Sequence, residues 1–283
     1  LTMVVDGPPQ EKLITGDQIT LSVNAELENV MGADFTLLYP SSLLTIDSAV
    51  DGGIFAPVSG SSTLDTTTAG VINYDGSSLS GAVSGTDLTL FTVTFNVTGV
   101  GADGLDLDET TDLFTMLPAG SPSVSTNVYA SQLVDETFEA FGAPTLSSTD
   151  IGGPYMTGAL HEFQVTLTNP EDGAAFDHVL VNFNVDDITV DDIDTFEYWD
   201  GSVWQTMPLS NTATGVTGYF GDLAGFPMTA PYEITTTLRV RFNSTAAGNL
   251  PVTVTLNDRD DADRQLAELT ATAVVNDVTM PVL

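Results

Sequence analysis

Leu88-Thr-Leu-Phe-Thr-Val-Thr-Phe-Asn-Val97 decides the fold class. From Phe91 onward apolar residues alternate with Thr92, Thr94 and Asn96. That is the period of a strand with one face on a core and the other toward water. The β-branched threonines suit the outer positions of a half-buried pleat. The same period runs through Ile19–Ala25, Phe163–Thr168, Leu238–Phe242, Val252–Leu256 and Leu266–Val275, and no segment keeps a 3.6-residue period for three turns. Turns at Thr15–Asp17, Asp51–Gly53, Asp75–Gly76, Asp200–Gly201 and Asn243–Gly248 separate the runs. The pattern predicts an all-β protein, two β-sandwich domains in tandem.

With 283 residues there is room for two cores. Residues 141–150, small, polar and interrupted by Pro144, read as a linker between a first domain at 1–140 and a second at 151–283. Asp and Glu number 39 against 5 Lys and Arg, a formal charge of −34, and the acids divide as 19 before residue 142 and 20 after it. Acidity therefore belongs to the whole surface. It turns the phosphate attraction that drives nucleic-acid binding into repulsion, so no nucleic acid is expected as a partner. No apolar run approaches the roughly 18 residues of a membrane span, so no membrane insertion is expected. With no Cys there is no disulfide framework, thiolate metal site or thiol nucleophile, and two histidines leave little for imidazole chemistry. The chain opens on Leu1-Thr-Met-Val-Val without a charged-then-apolar leader and reads as the mature form of an exported, extracellular or cell-surface protein.

Three segments of the first half carry a family resemblance. They are Thr15-Gly-Asp-Gln-Ile-Thr-Leu-Ser-Val-Asn-Ala25, Val30-Met-Gly-Ala-Asp-Phe-Thr-Leu-Leu-Tyr-Pro-Ser-Ser-Leu-Leu-Thr-Ile46, and Asp87 through Val97. A Gly-Asp turn into a strand, a Gly-Ala-x-Phe strand closing on a Tyr-Pro-x-x-Leu corner and a late long strand occur in that order. Over about residues 10–138 the chain resembles a cohesin-type module. The resemblance implies a nine-stranded jelly-roll-like sandwich and a dockerin-type partner domain; cohesin-like domains also occur in surface proteins without cellulosomes. The second half resembles, more loosely, the Ig-like domains of bacterial surface proteins.

Four groups of residues are candidates for chemistry. Asn257-Asp-Arg-Asp-Asp-Ala-Asp-Arg264 crowds Asp258, Asp260, Asp261 and Asp263 into a turn; a calcium ion would relieve their repulsion, or Arg259 and Arg264 would pair with them. Asp106 and Asp108, on one side of a strand within Asp103–Glu109, form a weaker cation candidate, whereas Asp186, Asp187, Asp191, Asp192 and Asp194 read as a wet face over Ile188, Val190 and Ile193. Phe196-Glu-Tyr-Trp-Asp-Gly-Ser-Val-Trp-Gln205 reads as a hairpin whose Tyr198, Trp199 and Trp204 either close an edge of the core or form a sugar-stacking platform. Asn243 and Asn96 stand in N-x-S/T glycosylation acceptors. Gly99–Gly104 matches G-x-G-x-x-G, but a strand-like acidic segment follows where a helix is required, so it reads as a turn.

No nucleophile elbow, zincin pair or Walker loop is present in the sequence. The favoured function is a non-enzymatic extracellular structural protein, a subunit of a surface filament, sheath or S-layer-like coat with calcium at its acidic loops. Short apolar strands at both ends suggest self-assembly with identical subunits by terminal strand exchange. The alternatives are a cohesin-like recognition module binding a dockerin-type domain, and a carbohydrate-binding adhesin.

Overall fold

A computed structural model of the chain describes residues 2–8, 10–57, 62–78, 81–107, 112–115, 124–127, 136–176, 179–222, 230–258 and 264–277. Strands dominate, joined among the described residues by 3₁₀ turns at Gln10–Lys12, Val190–Asp192 and Ser244–Ala246. The chain divides into two compact units, Leu1–Phe141 and Gly142–Leu283. Both are layered β structures, so the tandem all-β architecture is present. No helix among the described residues is long and apolar enough to cross a membrane.

In the first unit the strands are β1 (Thr2–Asp6), β2 (Leu13–Ile14), β3 (Gln18–Leu38), β4 (Leu44–Asp51), β5 (Ala56–Pro57), β6 (Leu64–Asp65), β7 (Val71–Ser77), β8 (Val83–Val97), β9 (Gly101–Leu107), β10 (Asp112–Thr115), β11 (Val124–Asn127) and β12 (Glu136–Phe141). β3 is the spine. Its first half lies between β1 and β8, with β4 beyond β8; its second half lies between β7 and β10. The two segments that read separately in the sequence are thus one 21-residue strand. Asn29, at φ 55°, kinks it and turns Val30 inward out of step with Ile19, Leu21, Val23, Ala25 and Leu27, and the odd-numbered phase resumes at Ala33, Phe35 and Leu37. These side chains belong to one core that also holds Tyr74, Phe91 and Phe95. Phe35 stacks on Tyr74 at 5.2 Å and on Phe91 at 5.8 Å, which ties the ladder of β3 and β7 to that of β8.

The second unit comprises β13 (Thr145–Thr149), β14 (Tyr155–Met156), β15 (His161–Asn169), β16 (Val179–Asp186), β17 (Ile193–Trp199), β18 (Trp204–Thr206), β19 (Leu209–Asn211), β20 (Gly215–Asp222), β21 (Tyr232–Phe242), β22 (Gly248–Asp258) and β23 (Gln265–Asn276). They form a five-stranded sheet, β13-β15-β21-β17-β18, and a six-stranded sheet, β14-β23-β22-β16-β20-β19. Phe183 of the second packs against Phe163 and Phe196 of the first at 5.8 and 4.6 Å.

One expectation needs correction. The segment 141–150 is not a linker: Phe141 ends β12, and Thr145–Thr149 is an edge strand paired with β15 along its length. Within it only Ala143, Pro144 and Asp150 lie outside any ladder or bridge. The threonine and serine content suits a strand with little to bury as well as it suits a connector. At the N-terminus, Thr2–Asp6 pairs residue by residue with Thr20–Asn24 of the same chain, so this strand already has a sheet partner; Val278–Leu283 lies outside the described residues.

Candidate functional site

The ladder β1-β3-β8-β4 presents an outer face built by strand alternation. Ile19, Leu21 and Val23 of β3 and Phe91, Val93 and Phe95 of β8 point into the core, so their neighbours point out. Register aligns these in rows across four strands: Val4, Ser22, Thr92 and Val50 in one, Asp6, Thr20, Thr94 and Ser48 in the next. The central side chains are half-buried and tied to one another. The Thr20 and Thr94 hydroxyls lie 3.4 Å apart, Thr89 donates to Asn24 Oδ1 at 2.8 Å, and Gln18 Nε2 donates to Asn96 Oδ1 at 2.9 Å. Val4 and Val50, at the two edges, are 49% and 63% exposed. Carboxylates stand at the margins, Asp6 on β1 and Asp47 beside Asn96. A flat face of hydroxyls and amides with apolar edges is therefore set into a surface that is elsewhere densely acidic. Charge is thus depleted at the centre of this face, as it is at the centres of protein interfaces.

The second surface lies on the five-stranded sheet. Gly201, at φ 97°, takes the left-handed position of the β17–β18 turn. The Asp200 carboxylate accepts from Ser202 N and Oγ, Val203 N and Gln205 Nε2 at 2.7–2.9 Å, and these bonds hold its pKa well below the usual carboxylate range. Trp199 and Trp204 stand opposite one another, rings 5.4 Å apart and inclined by 61°. They do not close the core. Phe196 is the inward residue, which puts Glu197 and Trp199 on the other side of β17, where Trp199 is 36% exposed. The Arg239 guanidinium lies 3.9 Å over the Trp204 ring, and its Nε donates to Glu197 directly across the ladder. One strand position along, Arg241 Nη1 meets Asp194 at 3.0 Å. Sequence reasoning missed Arg239 and Glu197. Alternation in Leu238–Phe242 put both arginines outward, but only register brings Arg239 to the indole.

The acidic candidates are dispersed. Asp258 ends β22; its backbone N–H donates to Arg264 O at 3.0 Å, and its carboxylate faces the Arg264 guanidinium at 4.0 Å, both side chains largely buried. Arg264 also lies 5.9 Å from the Phe176 ring. This is the arginine pairing that stood beside calcium as a reading of the turn; Asp260, Asp261 and Asp263 lie outside the described residues. Asp106 sits in β9 opposite Leu38, and its side chain and Asp108 are likewise outside them. Among the described residues no three His, Asp or Glu side chains converge as for a metal. Asp187, Asp192, Asn211 and Thr214 line a recess of about 300 Å³ beside the turn at 187–192. Asp192 accepts from Thr189 N and Oγ1, and hydrogen bonds from Thr245 and Thr189 lower its pKa. Ile188 and Ile193 of this segment are buried beneath the acids. Both glycosylation candidates have their amide nitrogens in use, Asn243 Nδ2 on Asp191 O at 2.6 Å and Asn96 Nδ2 toward Asp47 at 3.4 Å.

No family model matches the chain, and no curated protein matches it. Solved structures that it is similar to include the seventh ScaB type I cohesin of Pseudobacteroides cellulosolvens (14% identity, 50% of this chain and 94% of that one, TM-score 0.36) and a non-cellulosomal cohesin of Archaeoglobus fulgidus (20%, 50% and 91%, TM-score 0.33). Another is AvmM, which catalyses macrocyclization in alchivemycin A biosynthesis (15%, 48% and 92%, TM-score 0.37). The cohesin-like character read from residues 10–138 thus reappears among the structural neighbours, while likeness at this level carries neither partner nor activity across to this chain.

Proposed function

We propose that the chain is a secreted, non-enzymatic recognition protein whose first unit captures a partner domain on the outer face of β1, β3, β8 and β4. The observation that carries this reading is the row Val4–Ser22–Thr92–Val50 with its neighbours, a charge-poor sheet face in a chain of net charge −34. Centres of protein interfaces are depleted of charge, and a sheet held in register on its core side needs little ordering when a partner docks. The occupant is the one implied by the cohesin-type resemblance of residues 10–138, a dockerin-type domain. Asp65, Asp192 and Asp200 are each held ionised by hydrogen bonds at turns, which makes them structural acceptors in those turns. A filament joined by N-terminal strand exchange is the weaker reading, because β1 is paired within its own unit.

Light scattering on a sizing column tests the proposal, with the chain alone and mixed with a panel of dockerin modules. A 1:1 complex that Thr92→Arg abolishes without lowering the melting temperature is the expected result. Binding indifferent to Thr92→Arg refutes the face. Homo-oligomers with no dockerin complex refute the recognition reading in favour of self-assembly.

A further inference from the structure

The second unit carries a surface that the first unit's recognition role does not use. We propose that the outer face of the β17–β18 hairpin is a binding platform for neutral polysaccharide, with Trp199 as the stacking residue and Trp204, Arg239 and Glu197 as its support. The argument starts from placement. Both tryptophans of the chain lie in this hairpin, paired across it and on the side away from Phe196. Core packing therefore does not account for them, and Trp199 leaves over a third of its surface in water.

The site is also built in advance. Arg239 covers Trp204 at 3.9 Å and is held in turn by Glu197, so the second indole is fixed where it buttresses the first. The turn that presents Trp199 is closed by the four hydrogen bonds to Asp200, and Thr236 Oγ1 donates to the Trp199 carbonyl at 3.2 Å. A ligand thus meets an aromatic surface whose ordering cost has been met in folding, the condition under which a small contact gives measurable affinity.

Charge selects the ligand class. Arg239 with Glu197 and Arg241 with Asp194 make the face locally neutral. The surrounding chain, at −34, repels polyanions, which excludes nucleic acids and acidic glycans. A neutral pyranose suits what remains: its C–H face covers an indole, and its hydroxyls take both donors and acceptors, here Arg239 and Glu197.

The two tryptophans make the test specific, since tryptophan fluorescence of the full chain, excited at wavelengths where its tyrosines do not absorb, reports this hairpin. The full chain is titrated with hydroxyethylcellulose, xylan, galactomannan and, as the anionic control, polygalacturonate, and run on native gels containing each. The expected result is a saturable fluorescence change and retardation with at least one neutral polymer and none with polygalacturonate. Trp199→Ala and Trp199→Leu, at an exposed position, should keep the melting temperature and weaken binding at least tenfold; Leu retains apolar bulk and so isolates the loss of the ring face. No response to any neutral polymer overturns the proposal. So does binding that survives both substitutions, or fluorescence that responds to a dockerin module and to no polysaccharide.

Discussion

Tyr74 and Tyr155 set up a paired experiment in which one substitution has opposite signs in the two units. Tyr74 is fully buried on β7, its ring against Phe35 at 5.2 Å and Phe91 at 5.7 Å, and its hydroxyl has no hydrogen-bond partner among the described residues. Burial pushes its pKa up, and Asp51 adds to the shift by disfavouring the phenolate, so the group stays neutral. An unpartnered buried hydroxyl costs about 1–3 kcal/mol. Tyr74→Phe keeps the stack and removes that cost. The void left by one oxygen, on the order of 10 Å³, returns about 0.3 kcal/mol. The first unit should therefore gain about 1 kcal/mol, a rise of roughly 3 °C for a unit of this size. Tyr155, also with a pKa raised chiefly by burial, instead donates to Ile151 O at 2.8 Å. Tyr155→Phe orphans that carbonyl and should cost the second unit about 1 kcal/mol. Calorimetry of the full chain, with the two transitions assigned by the substitutions themselves, reads both. If Tyr74→Phe lowers its transition by 2 °C or more, the hydroxyl has a partner and the reasoning fails.

Two further outcomes follow from the second unit. Arg264→Met leaves the Asp258 carboxylate facing a buried site without its cation and should destabilise that unit by about 3 kcal/mol, read by urea unfolding; a loss under about 1 kcal/mol would show that the pair is not sustained. Asp200 has a folded-state pKa below its ordinary 3.8, so its hold on the hairpin is complete above that value and is lost only as pH falls through the lower one. Amide protection at Ser202 and Val203, followed by NMR, should therefore persist at about pH 3, where ordinary carboxylates have taken up protons; loss of protection between about pH 5 and 4 would contradict the bonding described.

Much of the fold was legible because strand period and burial are the same fact seen twice. Phe91, Val93 and Phe95 alternate in sequence and lie together in the core. The phase of a strand is harder to read when large residues occupy both phases. Phe196, Tyr198, Trp199 and Trp204 do so, and the core-edge reading of the tryptophans failed because local pattern does not say which of Phe196 and Trp199 points inward. The linker expectation failed for a related reason: Thr145–Thr149 offers one large apolar residue, Leu146, and an edge strand needs little more than a neighbour. Partnerships set by register, Arg239 with Glu197 and Thr92 with Ser22 and Val50, are invisible until distant segments are aligned.

The kinked spine of the first unit has one more consequence. Because β3 passes without a break from the ladder it shares with β1 and β8 into the one it shares with β7 and β10, it is the one strand that both ladders need. Drawing β3 itself out of the unit therefore breaks both sets of backbone bonds, as drawing a hinge pin frees both leaves of a door.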